Sequence, residues 1–241
     1  LWVDLEAPTA EEAEILRTVF HFHELAIEDC TTIDIEEAKL DDYDDYLFLV
    51  LQSFFLNSSN LDFNAIELDL FFGKNFVVTF HKKPTVGINQ LKKRLETGIN
   101  FMAEGTDGIL HAIIDSLVDN YMVTFKKIEQ CIYSLETEIL SDPTNKTFNN
   151  LFKLKSILIH LRRLITPESE VIESLANSEH ELIHEDNAMY FNDIHDHVSI
   201  INGLLDSYYD MVKGAMDTYV SMANFRLQKI MQILTIISTI M

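Results

Sequence analysis

Residues 188–241 contain no proline, and their apolar side chains return every three or four positions. Ile194, Val198, Ile201, Leu205, Tyr208, Val212 and Ala215 form one stripe, which Tyr219, Met222, Phe225, Ile230 and Leu234 extend. That spacing is one face of an α-helix. A helix of this length runs roughly 80 Å at ~1.5 Å per residue. No small globular core buries such a rod. It must pack on other long helices, pack on copies of itself, or run on into another environment. Its end favours the last option. No charge follows Lys229, and the polar residues shrink to Gln232, Thr235, Ser238 and Thr239. Residues 230–241 are too few to cross a bilayer, which takes about 20. They read either as a buried core helix or as the first turns of a transmembrane helix that is cut short.

The remaining length, out of 241 residues, allows one large domain or two modest ones. A net charge of −21 and the lack of a basic stripe argue against nucleic acid as a partner. The acidity fits solubility, attraction of cations, or a repulsion that a cation relieves. Cys30 and Cys131 are far apart in amphipathic segments and read as free buried thiols of a reducing compartment. Asn57-Ser58-Ser59 and Asn145-Lys146-Thr147 match the glycosylation pattern, which is common by chance. The chain has no signal peptide and opens without Met inside Trp2-Val3-Asp4-Leu5. It is therefore expected to be a piece of a longer protein, truncated at both ends.

Taken in order, residues 2–6 read as a strand. Thr9 and Glu12 form a capping box for a helix whose buried face is Ala13, Leu16, Val19 and Phe20. A second short helix is expected over residues 23–30. Glu28 and Asp29 sit at its C-terminal end, where the helix dipole disfavours acids, so the pair needs solvent or a cation. Asp41-Asp42-Tyr43-Asp44-Asp45-Tyr46 reads as a solvated loop, and residues 47–51 as a central strand covered on both faces. Residues 66–72 and 76–80 around Gly73-Lys74-Asn75 read as a hairpin. Pro84 begins a short helix that points Leu91 and Leu95 inward.

Gly98, Gly105 and Gly108 mark a change, after which strand signals vanish. Leu110 to Ile139 keeps near-heptad apolar spacing, a helix of about 35 residues. Asp142-Pro143 turns the chain, with Pro143 opening the next helix, which Pro167 should kink. The expected fold class is α+β, in three segments. Residues 1–105 form a small α/β domain, 106–187 a long acidic antiparallel helical hairpin, and 188–241 a stalk helix. No nucleotide-binding, nucleophile-elbow or zinc-protease motif is present.

Candidate chemistry is sparse. Asp193, Asp196 and His197 lie at i, i+3 and i+4 and share a helix face, with His195 turned away. They are too few for a closed Mg²⁺ cage, but Mg²⁺ commonly keeps its waters and takes one or two carboxylates. Asp115 interrupts the edge of an apolar face, and Asp119 follows one turn later. By themselves these read as solvated helix flanks.

Several segments, in this order, resemble the CorA family of divalent-cation channels. They are Leu25-Ala26-Ile27-Glu28-Asp29, Asp45-Tyr46-Leu47-Phe48 and Ile114-Asp115-Ser116-Leu117-Val118-Asp119. Tyr190-Phe191-Asn192-Asp193 with Asp196-His197, and residues 233–239, complete the set. The resemblance implies a cytoplasmic α/β domain, two acidic helices and a stalk helix that enters the inner membrane, with five subunits forming a funnel. It implies regulatory Mg²⁺ between subunits, with Asp29 facing Asp193 of the adjacent chain and Glu28 and Asp115 at a second site. Co²⁺, Ni²⁺, Ca²⁺ or Zn²⁺ could substitute. Met231 and Leu234 match the family's hydrophobic constriction, Gln228 lies one turn before it, and Asp217 matches an acidic pore position. The family's Gly-Met-Asn filter is not within residues 1–241. The implied function is Mg²⁺ sensing and gating, with no enzymatic activity. The alternatives are a ZntB-like Zn²⁺ transporter, a hydrolase built on Asp193, Asp196 and His197, and a coiled-coil scaffold.

Overall fold

The computed structural model describes residues 1–32, 36–97, 105–177, 180 and 182–241, with only the backbone of Glu185 and Asp186. Gly98, one of the expected boundary glycines, lies outside the described residues. Five strands form one sheet: β1 (Trp2–Glu6), β2 (Lys39–Asp42), β3 (Tyr46–Asn57), β4 (Asp62–Gly73) and β5 (Phe76–His81). Their order is β1-β5-β4-β3-β2, with β1 parallel to β5 and every other pair antiparallel. Both faces are covered, which explains why β3 and β4 are apolar without clean alternation.

One face carries three short helices, α1 (Ala10–Ala13), α2 (Ile15–Thr18) and α3 (Glu24–Thr31). Leu16, Phe22, Ala26, Ile27 and Cys30 pack there on Phe48, Val50, Phe71, Val78 and Phe80. The capping box of Thr9 and Glu12 is present. Val19, expected in the core, is 61% exposed. The helix stops at Thr18, and His21 takes φ 56°, so Phe20 and Phe22 turn inward instead. Phe22 stacks on Phe71 at 3.9 Å between ring centroids.

The opposite face is built by α4 (Val86–Glu96), α5 (Thr106–Ser141), α6 (Asn145–Ala176) and α7 (Glu185–Ile240). Leu47, Leu49, Leu51, Leu68, Leu70 and Phe72 point that way, into a core continuous with α5, α6 and α7. Thr144 rather than Pro143 starts α6, because its hydroxyl accepts from the Thr147 amide. The helix passes through Pro167 without ending. α5 and α6 are joined as a hairpin, but each packs far more on α7 than on the other. Asn187 of α7 bonds Asp107 at the start of α5, and Arg226 bonds Asp142 at its end, so α7 runs alongside α5. Phe148 meets Tyr219 and Arg162 pairs with Asp206, so α6 runs antiparallel to α7.

The helices also complete the sheet. β2 pairs with β3 only as far as Lys39 opposite Val50, which leaves the rest of that β3 edge without a strand partner. A buried backbone group without a partner is costly. Glu168 Oε1 accepts from the Gln52 amide at 2.5 Å, and the Tyr121 hydroxyl donates to the Gln52 carbonyl. Thr124 and Lys127 donate to the carbonyls of Phe54 and Leu56, each at 3.5 Å. Burial pushes the Glu168 carboxyl up to about 8, although the Gln52 and Tyr121 contacts oppose that shift.

Candidate metal centre and helix overhang

The C-terminal end of α3 carries Glu28 and Asp29. The cation that this dipole-opposed pair needs comes from within the chain. Lys39 Nζ lies 2.6 Å from Asp29 Oδ2 and 3.2 Å from Asp41 Oδ2. Burial lowers the Lys39 pKa, and the bonds to Asp29 and Asp41 outweigh it, for a net rise. Asp44 and Asp45 of the acidic run are exposed, as expected for a solvated loop, while Asp41 and Asp42 belong to β2 and Tyr46 opens β3. Leu25, one turn before Glu28 and Asp29, is 58% exposed.

Asp193 and Asp196 are exposed on α7, and His195 and His197 are half-buried. Exposed Met189, Tyr190 and Ile200 flank them on the same side of the helix. α3 packs on one face of the sheet, whereas α7 packs on the helices covering the other. Asp29 and Asp193 are thus not brought together within one chain.

The structure does place Asp115 within electrostatic reach of His197. Asp115 is half-buried between α5 and its neighbours rather than on a solvated flank. Burial raises its pKa and Asp119 adds to the rise, while His111, Arg94 and His197 act in the opposite direction. Sequence reasoning missed His111 and Arg94, since neither shares an obvious spacing with His197.

A second group missed from sequence is Asp4, Glu6 and His81, whose ligand atoms lie within 4.8 Å of one another. Lys92 already fills that space, 2.5 Å from Asp4 Oδ2 and 3.4 Å from Glu6 Oε2. Burial opposes ionisation of Asp4, but bonds from His81, Lys92 and Thr79 win and hold it down to about 2. A lysine ammonium therefore occupies this ligand set.

Beyond Ala223 every residue of α7 is exposed. Met231 is 59% and Leu234 60% exposed, and Gln228 and Asp217 also face outward. The hydroxyls of Thr235, Ser238 and Thr239 bond carbonyls of the same helix. From Ile230 on, the overhang therefore presents a mostly apolar surface, broken by Gln232, whose hydroxyls need little from solvent. Gln228, Met231, Gln232, Thr235 and Ile236 line an open hollow of about 470 Å³ on one side of it. Among the described residues, no helix is long and apolar enough to cross a membrane.

A family model described as CorA-like Mg²⁺ transporter protein matches residues 1–241. The chain belongs to the CorA-like Mg²⁺ transporter family. It is 36% identical over 239 residues to the putative metal ion transporter YfjQ of Bacillus subtilis (strain 168), covering 99% of this chain and 73% of that one. It is 31% identical over 222 residues to the cobalt/magnesium transport protein CorA of Thermotoga maritima, covering 92% of this chain and 63% of the relative. The fold matches that of the complete CorA magnesium transporter from Methanocaldococcus jannaschii with a TM-score of 0.85 at 17% identity, over 99% of this chain and 74% of the other. The ZntB cytoplasmic domain from Vibrio parahaemolyticus matches with a TM-score of 0.73, also at 17% identity, over 94% and 88%. The α+β class and the family resemblance expected from sequence both hold.

The donors suit a hard divalent cation. Glu28, Asp29, Asp193 and Asp115 offer only carboxylate oxygens, the ligands Mg²⁺ takes.

Proposed function

We propose that this chain is the cytoplasmic Mg²⁺-sensing part of a CorA-type divalent-cation transporter, with α7 leading into the membrane. The observation that carries this reading is the placement of two carboxylate patches on opposite sides of one chain. One is Glu28 and Asp29 beside exposed Leu25, and the other is Asp193 and Asp196 beside exposed Met189 and Tyr190. Each mixes acids with apolar side chains, as the rim and centre of an interface do. Two different patches that meet between copies make a heterologous contact, which closes into a ring when the rotation permits. A pentamer is the ring we propose, on the family's precedent. At low Mg²⁺ the facing carboxylates repel and loosen the ring. At high Mg²⁺ a bridging ion tightens it, so entering ion limits its own entry. The apolar overhang fits the approach to a bilayer, with Met231 and Leu234 as a dewetting constriction.

Asp29→Ala and Asp193→Ala should each raise the Mg²⁺ concentration needed to stabilise the chain against heat while leaving the fold intact. Full Mg²⁺ stabilisation in both variants would contradict the reading. A Zn²⁺ transporter is the second reading, favoured by His111 and His197 within electrostatic reach of Asp115, since zinc accepts nitrogen ligands. Stabilisation by Zn²⁺ but not Mg²⁺, lost in His197→Ala, would decide for it.

A further inference from the structure

We propose that the Lys39 ammonium is a tethered competitor for the Asp29 carboxylate, which a divalent cation must displace in order to bind there. The inference rests on the reading of Asp29 as a metal ligand. It adds a residue that sets the threshold of that site.

Lys39 is the only lysine or arginine between Arg17 and Lys74, in a stretch crowded with Asp and Glu. Its Nζ reaches two carboxylates at once, Asp29 at 2.6 Å and Asp41 at 3.2 Å. Its position is built rather than incidental. β2 places Lys39 opposite Val50, and the ammonium lies 5.7 Å from the centroid of the Phe48 ring. The Asp29 side chain is 24% exposed and that of Lys39 34%, so the pair is reachable from solvent and the lysine can swing outward. One ammonium shared by Asp29 and Asp41, with Glu28 beside them, offsets only part of their charge, so the patch stays acidic until a divalent ion binds. An incoming divalent ion replaces a monovalent, covalently attached one, and its binding frees Lys39 from both Asp29 and Asp41. Partly exposed ion pairs are individually weak, so the competitor shifts the apparent affinity by about two- to fivefold.

The test follows thermal unfolding of the 241-residue chain against MgCl₂ at constant ionic strength, for wild type, Lys39→Met, Lys39→Arg, Asp29→Asn and the Asp29→Asn/Lys39→Met pair. Met keeps the apolar stem over Phe48 and removes the charge. Should Lys39→Met fail to fold, Lys39→Gln takes its place. The Mg²⁺ midpoint should fall about two- to fivefold in Lys39→Met, stay within about twofold of wild type in Lys39→Arg, and lose the gain in the double variant. A midpoint in Lys39→Met that is unchanged or higher, with Asp29→Asn weakened, overturns the competitor and leaves Asp29 as a ligand. A gain that survives in the double variant also overturns it. A midpoint in Asp29→Asn equal to wild type overturns the ligand reading, and the competitor with it.

Discussion

The two halves of α7 share one periodicity and differ in everything that surrounds it. From Phe191 to Ala215 the apolar stripe is buried, with Phe191, Ile194, Val198, Ile201 and Val212 at 0% exposure. The outward face there carries Asp193, Asp196, Asp206, Asp210 and Lys213. Beyond Ala223 the same kind of stripe is bare, although Arg226 still bonds Asp142 at the α5–α6 turn. Past Lys229 the helix carries no charge, and its hydroxyls turn back on it. Periodicity thus predicts a helix in both halves but not what covers it. The residues between the apolar positions tell the two apart. Charges on the outer face mean water, and self-bonded hydroxyls fit an apolar surround.

The sharpest way to break this comparison is to make one truncation in each half. Phe191→Ala removes a ring with no exposure and should cost about 3–5 kcal/mol in denaturant unfolding. Phe225→Ala removes one that is 63% exposed and should stay within about 0.5 kcal/mol. Equal losses would mean the overhang is packed in solution.

A second test uses pH, because Glu168 belongs to the packed body alone. The folded chain holds its proton up to about 8, whereas the unfolded chain releases it near the ordinary 4.5. Between those values the folded state binds the extra proton. Stability contributed at this site is therefore greatest at or below about pH 4.5 and is lost as pH rises through about 8. Glu168→Gln keeps an acceptor for the Gln52 amide and cannot ionise. It should flatten the pH dependence of the melting temperature and stabilise the chain at pH 8 by on the order of 3 kcal/mol. A slope identical to wild type would mean that Glu168 is ionised in the folded chain.

The smallest expected effect on stability is at the outer face of the packed half. Asp193→Ala should change unfolding in metal-free buffer by no more than about 0.5 kcal/mol. Its effect should appear only as a weaker response to Mg²⁺.

The long helices were legible because many turns repeat one pattern, and the first half of β3 because residues 47–51 are an unbroken apolar run; Gln52 and Ser53 break that run although the strand continues to Asn57. β2 was not, since Lys39-Leu40-Asp41-Asp42 is short and charged and its pairing is decided by β3. The β3–β4 turn was read only as a glycosylation match. Its signal is subtle, with Asn57 and Asn60 each accepting an amide two residues on, and Leu61 at φ 51°. Asp29 and Asp193 could be named from family resemblance, but their placement across the sheet could not be read from spacing. Lys39 was missed because its partner, Asp29, lies ten residues back on another element. Glu168 had a signal. It falls three residues after Ile165 and three before Val171, on the buried stripe of α6, where a charge needs a reason.

In the proposed ring, Asp29 of one copy meets Asp193 of the next through a divalent ion. The direct measurement is the molar mass of the chelator-stripped chain by light scattering, with and without millimolar Mg²⁺, for wild type, Asp29→Ala and Asp193→Ala. A Mg²⁺-dependent rise toward five chains in wild type, absent from both variants, is predicted. No rise in wild type, or the same rise in both variants, would contradict it.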